Sequence, residues 1–256
     1  MRKRALVTGA TSGIGEATTI KLADLGYNLI ITGRRKERLT ALQKKLEPKG
    51  VSITILAFDI RQKQEVDDAW NHLSAEELKI DILVNNAGLA SGLDPIHNGS
   101  LDDWEAMIDT NLKGLLYISR LVSPGMVDRK SGHIINVSSI AGVEVYANGN
   151  VYCASKHAVQ ALTKGMRIDL LPYNIKVSSI SPGMVDTEFS IVRFHGDKKK
   201  ADDVYKGLTP LYANDVADAI EFIVTRPPHV NVNDMLLMPT NQASAAYVHR
   251  NNEERD

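Results

Sequence analysis

A tyrosine and a lysine at helical spacing are the residues of this sequence best suited to proton transfer. Tyr152 and Lys156 are four positions apart, and Ser139 precedes the tyrosine by thirteen positions. Residues i and i+4 share one face of a helix, so the Lys156 ammonium can lie beside the Tyr152 phenol. A neighbouring cation lowers the pKa of a tyrosine from its ordinary value near ~10, which makes the phenol a usable general acid and base without a metal. Such pairs also occur by chance on exposed helices. Whether this pair is functional must therefore be judged from the secondary-structure elements around it.

The N-terminal part of the chain predicts a phosphate-binding turn. Residues Lys3 to Thr8 are typical of a short strand, and the apolar spacing from Glu16 to Leu25 indicates a helix. Between them, residues 9–15 follow the pattern Gly-x-x-x-Gly-x-Gly, a variant of the better-known dinucleotide fingerprint. Glycines allow the backbone to approach a pyrophosphate, which rests on the positive end of the helix.

Strand-like and helix-like segments alternate along the rest of the chain, which predicts one domain with a Rossmann-type, doubly wound α/β fold. We expect a parallel sheet of about seven strands with helices on both faces. The further predicted strands are 28–32, 52–58, 81–84, 133–137, 176–180 and 235–238, and the helices are 36–47, 64–78, 101–127, 213–224 and the one that carries Tyr152. Residues 184–212 lack clear periodicity, and we expect them to form a lid over the site.

Composition excludes several other classes of protein. The chain has 256 residues, 43% of them hydrophobic, and a formal net charge of −1, which gives no electrostatic reason to bind nucleic acid or an anionic membrane. Cys153 is the single cysteine, so no intramolecular disulfide can form. The sequence has no signal-peptide pattern and no membrane-spanning apolar run. We therefore expect a cytoplasmic protein without a metal site.

The ordered motifs of the chain resemble those of the short-chain dehydrogenase/reductase family over about residues 4–238. These motifs are Thr8-Gly9-x-x-x-Gly13-x-Gly15, Asp59, Asn85-Asn86-Ala87-Gly88, Asn111, Ser139, Tyr152 with Lys156, and Pro182-Gly183. The resemblance implies reversible hydride transfer between a nicotinamide cofactor and a carbonyl or alcohol. It also implies a homotetramer, and we expect residues 245–248 to pack on a neighbouring subunit.

The resemblance assigns roles to four catalytic residues. Tyr152 would exchange the proton with the substrate oxygen, and Ser139 would hydrogen-bond that oxygen. Lys156 would lower the pKa of the tyrosine and bind the nicotinamide ribose, while Asn111 would hold a water linking Lys156 to solvent. The family interval of thirteen residues selects Ser139 over the adjacent Ser138. For Asn111, local hydrogen bonding within its helix is the alternative.

The resemblance also implies a set of cofactor contacts. Asp59 would hold the adenine amino group, although it could instead cap a helix, and residues 182–187 would fix the nicotinamide. The full predicted set is Gly9, Thr11, Ser12, Gly13, Ile14, Gly15, Arg34, Arg35, Asp59, Ile60, Asn86, Ala87, Gly88, Tyr152, Lys156, Pro182, Gly183, Val185 and Thr187.

Two arginines after the second strand predict NADP(H) rather than NAD(H). Arg34 and Arg35 stand where NAD-binding folds carry an acidic residue, so we expect no carboxylate there to repel a 2′-phosphate, and two guanidinium groups can bind it. The alternative is that both are surface charges at a helix N-terminus, a position that the helix dipole makes unfavourable for cations.

The chain resembles in particular the NADP-dependent 3-hydroxy acid dehydrogenases, which act on serine, allo-threonine and 3-hydroxypropionate, and in reverse on malonic semialdehyde. The resemblance rests on residues 187–197, 229–233 and 238–242. A carboxylate substrate needs a cationic anchor, which Arg193 would supply beside Ser139 and Tyr152, unless it is a surface residue of a mobile loop. Sulfoacetaldehyde reduction, broad carbonyl reduction and, from another class, cofactor sensing without turnover are the alternatives.

Overall fold

The computed structural model describes residues 2–251, in which the apolar runs form strands and the amphipathic segments form helices. The strands are β1 (Arg4–Thr8), β2 (Asn28–Gly33), β3 (Ile53–Ala57), β4 (Ile82–Asn85), β5 (Gly132–Val137), β6 (Ile175–Pro182), β7 (Val185–Asp186), β8 (Leu211–Tyr212) and β9 (Asp234–Leu237). The helices are α1 (Gly13–Asp24), α2 (Lys36–Leu46), α3 (Lys63–Asn71), α4 (Leu101–Ile108), α5 (Leu115–Arg129), α6 (Asn150–Leu170), α7 (Phe189–Arg193), α8 (Lys198–Asp203) and α9 (Ala213–Val224).

Seven strands form one parallel sheet in the order β3-β2-β1-β4-β5-β6-β9. The strand order reverses between β1 and β4, so the connections leaving these two strands diverge and open a crevice at their carboxyl ends. Ligands bind at such crevices in open α/β sheets. The predicted doubly wound fold is confirmed.

Side chains on the central strands alternate between two apolar layers. Val7 and Ile31 point into the layer covered by α1, α2 and α9, whereas Leu6 and Ile30 point into the layer covered by α3 and α5. Each of these four side chains is fully buried. The period of two in a strand therefore gives the sheet a hydrophobic core on each face.

Two predicted helices were wrong in extent. The helix predicted over 64–78 ends at Asn71, because the Glu77 carboxylate accepts hydrogen bonds from the backbone N–H of Ser74, at 2.9 Å, and from its hydroxyl, at 2.6 Å. These bonds hold a separate turn in place of a continuing helix. The helix predicted over 101–127 is interrupted by a π-helical segment at Asp109–Gly114, and its second half continues to Arg129.

Residues 184–212, which we call the lid segment, contain α7 and α8 between two short strands. β7 and β8 pair in parallel, Val185 with Leu211 and Asp186 with Tyr212, so the two ends of the segment lie together. Farther out, the backbone N–H of Gly92 donates to the Arg193 carbonyl at 2.9 Å. The lid segment therefore contacts the body of the protein at both its base and its tip. Its opening and closing stay a prediction.

Within residues 2–251, no helix is long and apolar enough to cross a membrane.

Candidate active site

A cavity of about 690 Å³ lies at the carboxyl ends of the strands. It is lined by every residue predicted above for the catalytic, cofactor and substrate sites except Gly15 and Asn111. The three predicted sites therefore form one continuous site, although the role of each residue stays a prediction.

The glycine turn needs its glycines for two different reasons. Gly9 and Gly13 have φ angles of +67° and +54°, in the left-handed region that side chains disfavour. Gly15 instead permits close packing, since a Cβ there would lie 2.2 Å from the Gly9 carbonyl oxygen and 2.4 Å from the Asn86 side-chain nitrogen. Gly15 thus brings α1 against the turn without lining the cavity.

Tyr152 and Lys156 lie in the first two turns of α6, and both are buried. The Lys156 ammonium lies 6.0 Å from the centre of the Tyr152 ring and donates a hydrogen bond of 3.0 Å to the Val137 carbonyl oxygen. The pair therefore shares one helix face, as its spacing predicts, with the lysine tied to the end of β5.

The pKa of Tyr152 is raised, whereas the neighbouring Lys156 predicted that it would be lowered. Burial raises the pKa of Tyr152 above its ordinary value, and Tyr146 raises it further. Arg193 and Ser139 oppose this rise, and Lys156 is not among the main causes. Burial also lowers the pKa of Lys156 to about 8. The predicted direction was wrong because burial, which removes the phenolate from water, raises the pKa of Tyr152 more than Arg193 and Ser139 lower it. The buried site therefore favours Tyr152 as a neutral phenol.

The two adjacent serines have different partners. The Ser138 hydroxyl donates to the Lys156 backbone carbonyl at 3.3 Å, so it serves the packing of α6 on β5. The Ser139 hydroxyl accepts a hydrogen bond from the backbone N–H of Ala141 at 3.1 Å. Its hydrogen bond with the Tyr152 side chain lowers the pKa of Tyr152. Ser139 is therefore the serine that lies beside the phenol, and its contact with a substrate oxygen stays a prediction.

Asn111 lies buried in the π-helical segment rather than in a regular helix. Its side chain accepts from the Leu89 N–H at 2.8 Å and donates to the Leu89 carbonyl at 2.8 Å and to the Ser155 hydroxyl at 3.0 Å. Asn111 thus joins the loop after β4 to α6, which differs from the local bonding considered as its alternative. A water held by Asn111 stays a prediction.

Arg193 lies inside the cavity, within a group of three aromatic rings. Its guanidinium carbon is 5.1 Å from the ring centre of Tyr152 and 5.6 Å from those of Tyr146 and Phe189, and one terminal nitrogen donates to the Tyr146 hydroxyl. Its Nε is buried and has no hydrogen-bond partner among residues 2–251. A buried cationic donor without a partner is costly, so this position suits an anionic group of a ligand. The sequence did not point to Tyr146 or Phe189.

At the other end of the cavity, the two predicted phosphate-binding arginines differ in their surroundings. The side chain of Arg34 is 59% exposed and has an acidic neighbour in Asp59, 4.0 Å away. Asp59 is held by Arg61, whose Nη2 lies 2.6 Å from it. Burial raises the pKa of Asp59, but its hydrogen bonds with Arg61 outweigh this and keep the pKa below the ordinary value. The capping role considered for Asp59 is not found, since the N-cap position of α3 is Gln62, whose side chain makes no capping hydrogen bond.

Arg35 is already held by several groups of the protein. It donates to the hydroxyl of Thr11 at 2.9 Å, to that of Ser12 at 2.8 Å and to the carboxylate of Glu188 at 2.7 Å. The other Glu188 oxygen accepts from Arg38 at 2.6 Å. The expectation that no carboxylate lies near the two arginines was therefore wrong. Glu188 belongs to the lid segment, more than 150 positions along the chain, where a local pattern could not reveal it.

The C-terminal segment completes the wall beside Pro182 and Gly183. The Gln242 side chain is buried and accepts from the Met184 N–H at 2.8 Å, and a Cβ at Gly183 would lie 2.4 Å from the same oxygen. Ala245 and Ala246 also line the cavity. Of residues 245–248, considered above for contact with a neighbouring subunit, Ala245, Ala246 and Val248 thus line the site of their own chain, whereas Tyr247 is exposed. Sequence reasoning missed Gln242.

Within the described part of the chain, no three side chains of the metal-binding types come together.

Comparisons with known proteins agree with this geometry. The family described as short chain dehydrogenase matches residues 3–197. The NADP-dependent 3-hydroxy acid dehydrogenase of Escherichia coli K12 is 47% identical over 247 residues, which cover 96% of this chain and 98% of that protein. A sulfoacetaldehyde reductase of Chromohalobacter salexigens is 42% identical over 243 residues, which cover 94% of this chain and 96% of that protein.

Solved structures extend the match to three dimensions. A closed form of serine dehydrogenase complexed with NADP+ has a TM-score of 0.91 and 46% identity, and the match covers 97% of this chain and 100% of that one. The glycine turn, the Ser139-Tyr152-Lys156 set and these near full-length matches all indicate the same family: the chain belongs to the short-chain dehydrogenases/reductases.

Proposed function

We propose that the protein is an NADP-dependent oxidoreductase that interconverts a short 3-hydroxy acid and the corresponding 3-oxo acid. The observation that carries this proposal is Arg193, whose buried Nε lacks a partner among the described residues while its guanidinium carbon lies 5.1 Å from the Tyr152 ring centre. An anion anchor and a proton donor in one cavity suit a substrate with a carboxylate a few atoms from its carbonyl group.

The proton chemistry follows from burial of the phenol. Because burial raises the pKa of Tyr152, the neutral side chain is the form ready to give its proton to a carbonyl oxygen. Ser139 would hydrogen-bond the same oxygen and stabilise the charge that develops on it. In the reverse direction, Tyr152 would first have to lose its proton, and its phenolate would then take the proton of the alcohol. NADP(H), when bound, supplies or accepts the hydride.

The residues at the cofactor end of the cavity fit NADP(H). Because Gly15 has no side chain, α1 can approach the glycine turn closely, as a pyrophosphate site requires. Arg34 is largely exposed, so its guanidinium is available to a 2′-phosphate. The NADP-dependent relative and the NADP+-bound neighbour support the same choice.

A sulfonate substrate is the second candidate. The fork of Arg193 can bind a sulfonate as it binds a carboxylate, and one relative is named a sulfoacetaldehyde reductase. Both candidates depend on the same anchor, whereas a broad carbonyl reductase would not need it.

Replacement of Arg193 by methionine tests the anchor. Loss of a buried, charge-assisted contact should lower kcat/KM for 3-hydroxypropionate by about 30-fold or more. The loss for a neutral short alcohol should be several-fold smaller, because it reflects only the effect of Arg193 on the pKa of Tyr152. The matched control is Arg226→Met, because Arg226 also lies over an aromatic ring, 4.1 Å from the centre of Phe222, but does not line the cavity. Equal losses for acid and neutral substrates in Arg193→Met would contradict an anion anchor.

A further inference from the structure

Glu188 connects the lid segment to the arginines of the cofactor end. Its two carboxylate oxygens lie 2.7 Å from Arg35 and 2.6 Å from Arg38, so one carboxylate bridges two guanidinium groups. Burial raises the pKa of Glu188, but hydrogen bonds from Arg35 and Arg38 lower it below the ordinary value overall. The carboxylate therefore remains charged at neutral pH.

The bridge joins two separate segments that line the cavity. Arg35 follows β2 and Glu188 follows β7, both line the cavity, and Arg35 also donates to Thr11 and Ser12 of the glycine turn. Next to Glu188, Thr187 touches the turn itself, since a Cβ at Gly13 would lie 3.1 Å from the Thr187 methyl group. Thr187 and Glu188 therefore hold the start of the lid segment against the glycine turn and against the arginine that binds it.

We propose that Glu188 fastens the lid segment across the cofactor groove, and that its bridge to Arg35 and Arg38 must open before a dinucleotide can leave. This inference rests on the proposed use of NADP(H). Glu188 acts here as a positioning residue, because it sets the rate at which the groove opens rather than any chemical step.

The neighbouring charges distinguish fastening from simple repulsion of a phosphate. Arg34, Arg35, Arg38 and Arg61 together carry four positive charges, of which Glu188 and Asp59 neutralise two. Enough positive charge remains to bind a 2′-phosphate while the bridge is intact. Repulsion alone would act only on a cofactor that has this phosphate, whereas a fastened lid retains NADPH and NADH alike.

Arg38 allows the bridge to be broken from outside the cavity. It pairs with Glu188 but does not line the cavity. Arg38→Gln removes one of the two ion pairs of Glu188 and Glu188→Gln removes both, so the first should have the smaller effect of the same sign, and the double variant should be no faster than Glu188→Gln alone. The matched control is Asp203→Asn, which removes a negative charge from an exposed residue of the same lid segment.

Stopped-flow fluorescence would measure the release of NADPH and of NADH from each variant after a chase with excess oxidised cofactor. We expect Glu188→Gln to speed release of both cofactors by about threefold to tenfold and Arg38→Gln by about twofold to fivefold, the sizes expected for the loss of two and of one partly exposed ion pair, and Asp203→Asn to change nothing. Slower release of NADPH with unchanged release of NADH would show phosphate repulsion and overturn the proposal, as would unchanged release of both.

Hydrogen exchange in the protein without cofactor gives a second readout. Backbone amides of 189–207 should exchange faster in Glu188→Gln than in the unmodified protein or in Asp203→Asn, because the lid opens more often. If neither cofactor bound the unmodified protein, the proposed function would fail, and the exchange measurement would still decide whether Glu188 fastens the lid. Equal exchange in all three proteins would contradict the fastening itself.

Discussion

At the scale of single residues, the surroundings of a side chain decide its chemistry as much as its motif does. The spacing of Tyr152 and Lys156 predicted their shared helix face but gave the wrong direction for the pKa of Tyr152. Burial on α6 raises that pKa, and it lowers the pKa of Lys156 to about 8. Burial depends on distant chain segments such as α7, whose Phe189 ring lies 5.6 Å from that of Tyr152. Local spacing therefore identifies the reacting groups but not their protonation.

His133 carries a pH dependence of stability that is separate from catalysis. It is 4% exposed, its Nε2 lies 2.8 Å from the Ser178 hydroxyl, and burial together with the Lys176 charge lowers the pKa of His133 to about 3 from 6.5. Between these values the unfolded chain binds a proton that the folded protein does not. Stability therefore falls as the pH decreases from about 6.5 toward 3.

Replacing His133 by glutamine should flatten this dependence. The free energy of unfolding of the unmodified protein should fall by up to about 1.4 kcal/mol per pH unit more than that of His133→Gln over this range. Chemical denaturation at several pH values below 6.5 would measure the difference. His97→Gln is the control because His97 is exposed. Parallel curves for the unmodified protein and His133→Gln would show that His133 is not the source.

At the scale of elements, local patterns predicted the sheet well and two helices poorly. The glycine turn and the alternation of Leu6 and Val7 are encoded within a few residues, so the sequence predicts them directly. The end of α3 depends on Glu77, which also accepts a hydrogen bond of 2.6 Å from Thr54 on another element. The π-helical segment places Asn111 against the loop after β4. Neither of these long-range contacts leaves a periodic signal.

Two glycines in helices provide a matched pair for testing the glycine turn. A Cβ at Gly15 would lie 2.2 Å from the Gly9 carbonyl oxygen, whereas a Cβ at Gly165, within α6, would meet nothing within 4 Å. Gly15→Ala should therefore displace the turn and weaken NADPH binding by about tenfold or more, a loss of roughly 1.4 kcal/mol. Gly165→Ala should leave binding unchanged and stabilise the fold by about 0.5–1 kcal/mol, since alanine favours helix.

Fluorescence titration with NADPH and thermal unfolding of both variants would measure these effects. Tight NADPH binding by Gly15→Ala would show that the turn does not need the close approach of α1.

At the scale of the whole molecule, the cavity combines segments from the entire chain. The N-terminal turn, the lid segment and the C-terminal segment with Gln242 all line it. Motifs predicted the first of these completely, whereas Glu188, Tyr146 and Gln242 were missed because their partners lie far away in sequence. Gln242, for example, accepts a hydrogen bond of 2.8 Å from the backbone N–H of Met184, which is 58 positions away in sequence.

The predicted homotetramer stays a prediction. Large apolar side chains that are exposed in the single chain are compatible with subunit contacts. Ile168 and Leu171, near the end of α6, are each 72% exposed.

The most direct test of the proposed function is a comparison of initial rates with L-serine, L-allo-threonine, 3-hydroxypropionate and isethionate, each with NADP and with NAD. The arrangement of Arg193 beside Tyr152, with Arg34 open at the cofactor end, predicts the highest kcat/KM for a 3-hydroxy acid with NADP. A dominant rate with isethionate would move the substrate to the sulfonates and keep the anchor. Preference for NAD, or no rate with any of the four while neutral alcohols react, would contradict the proposal.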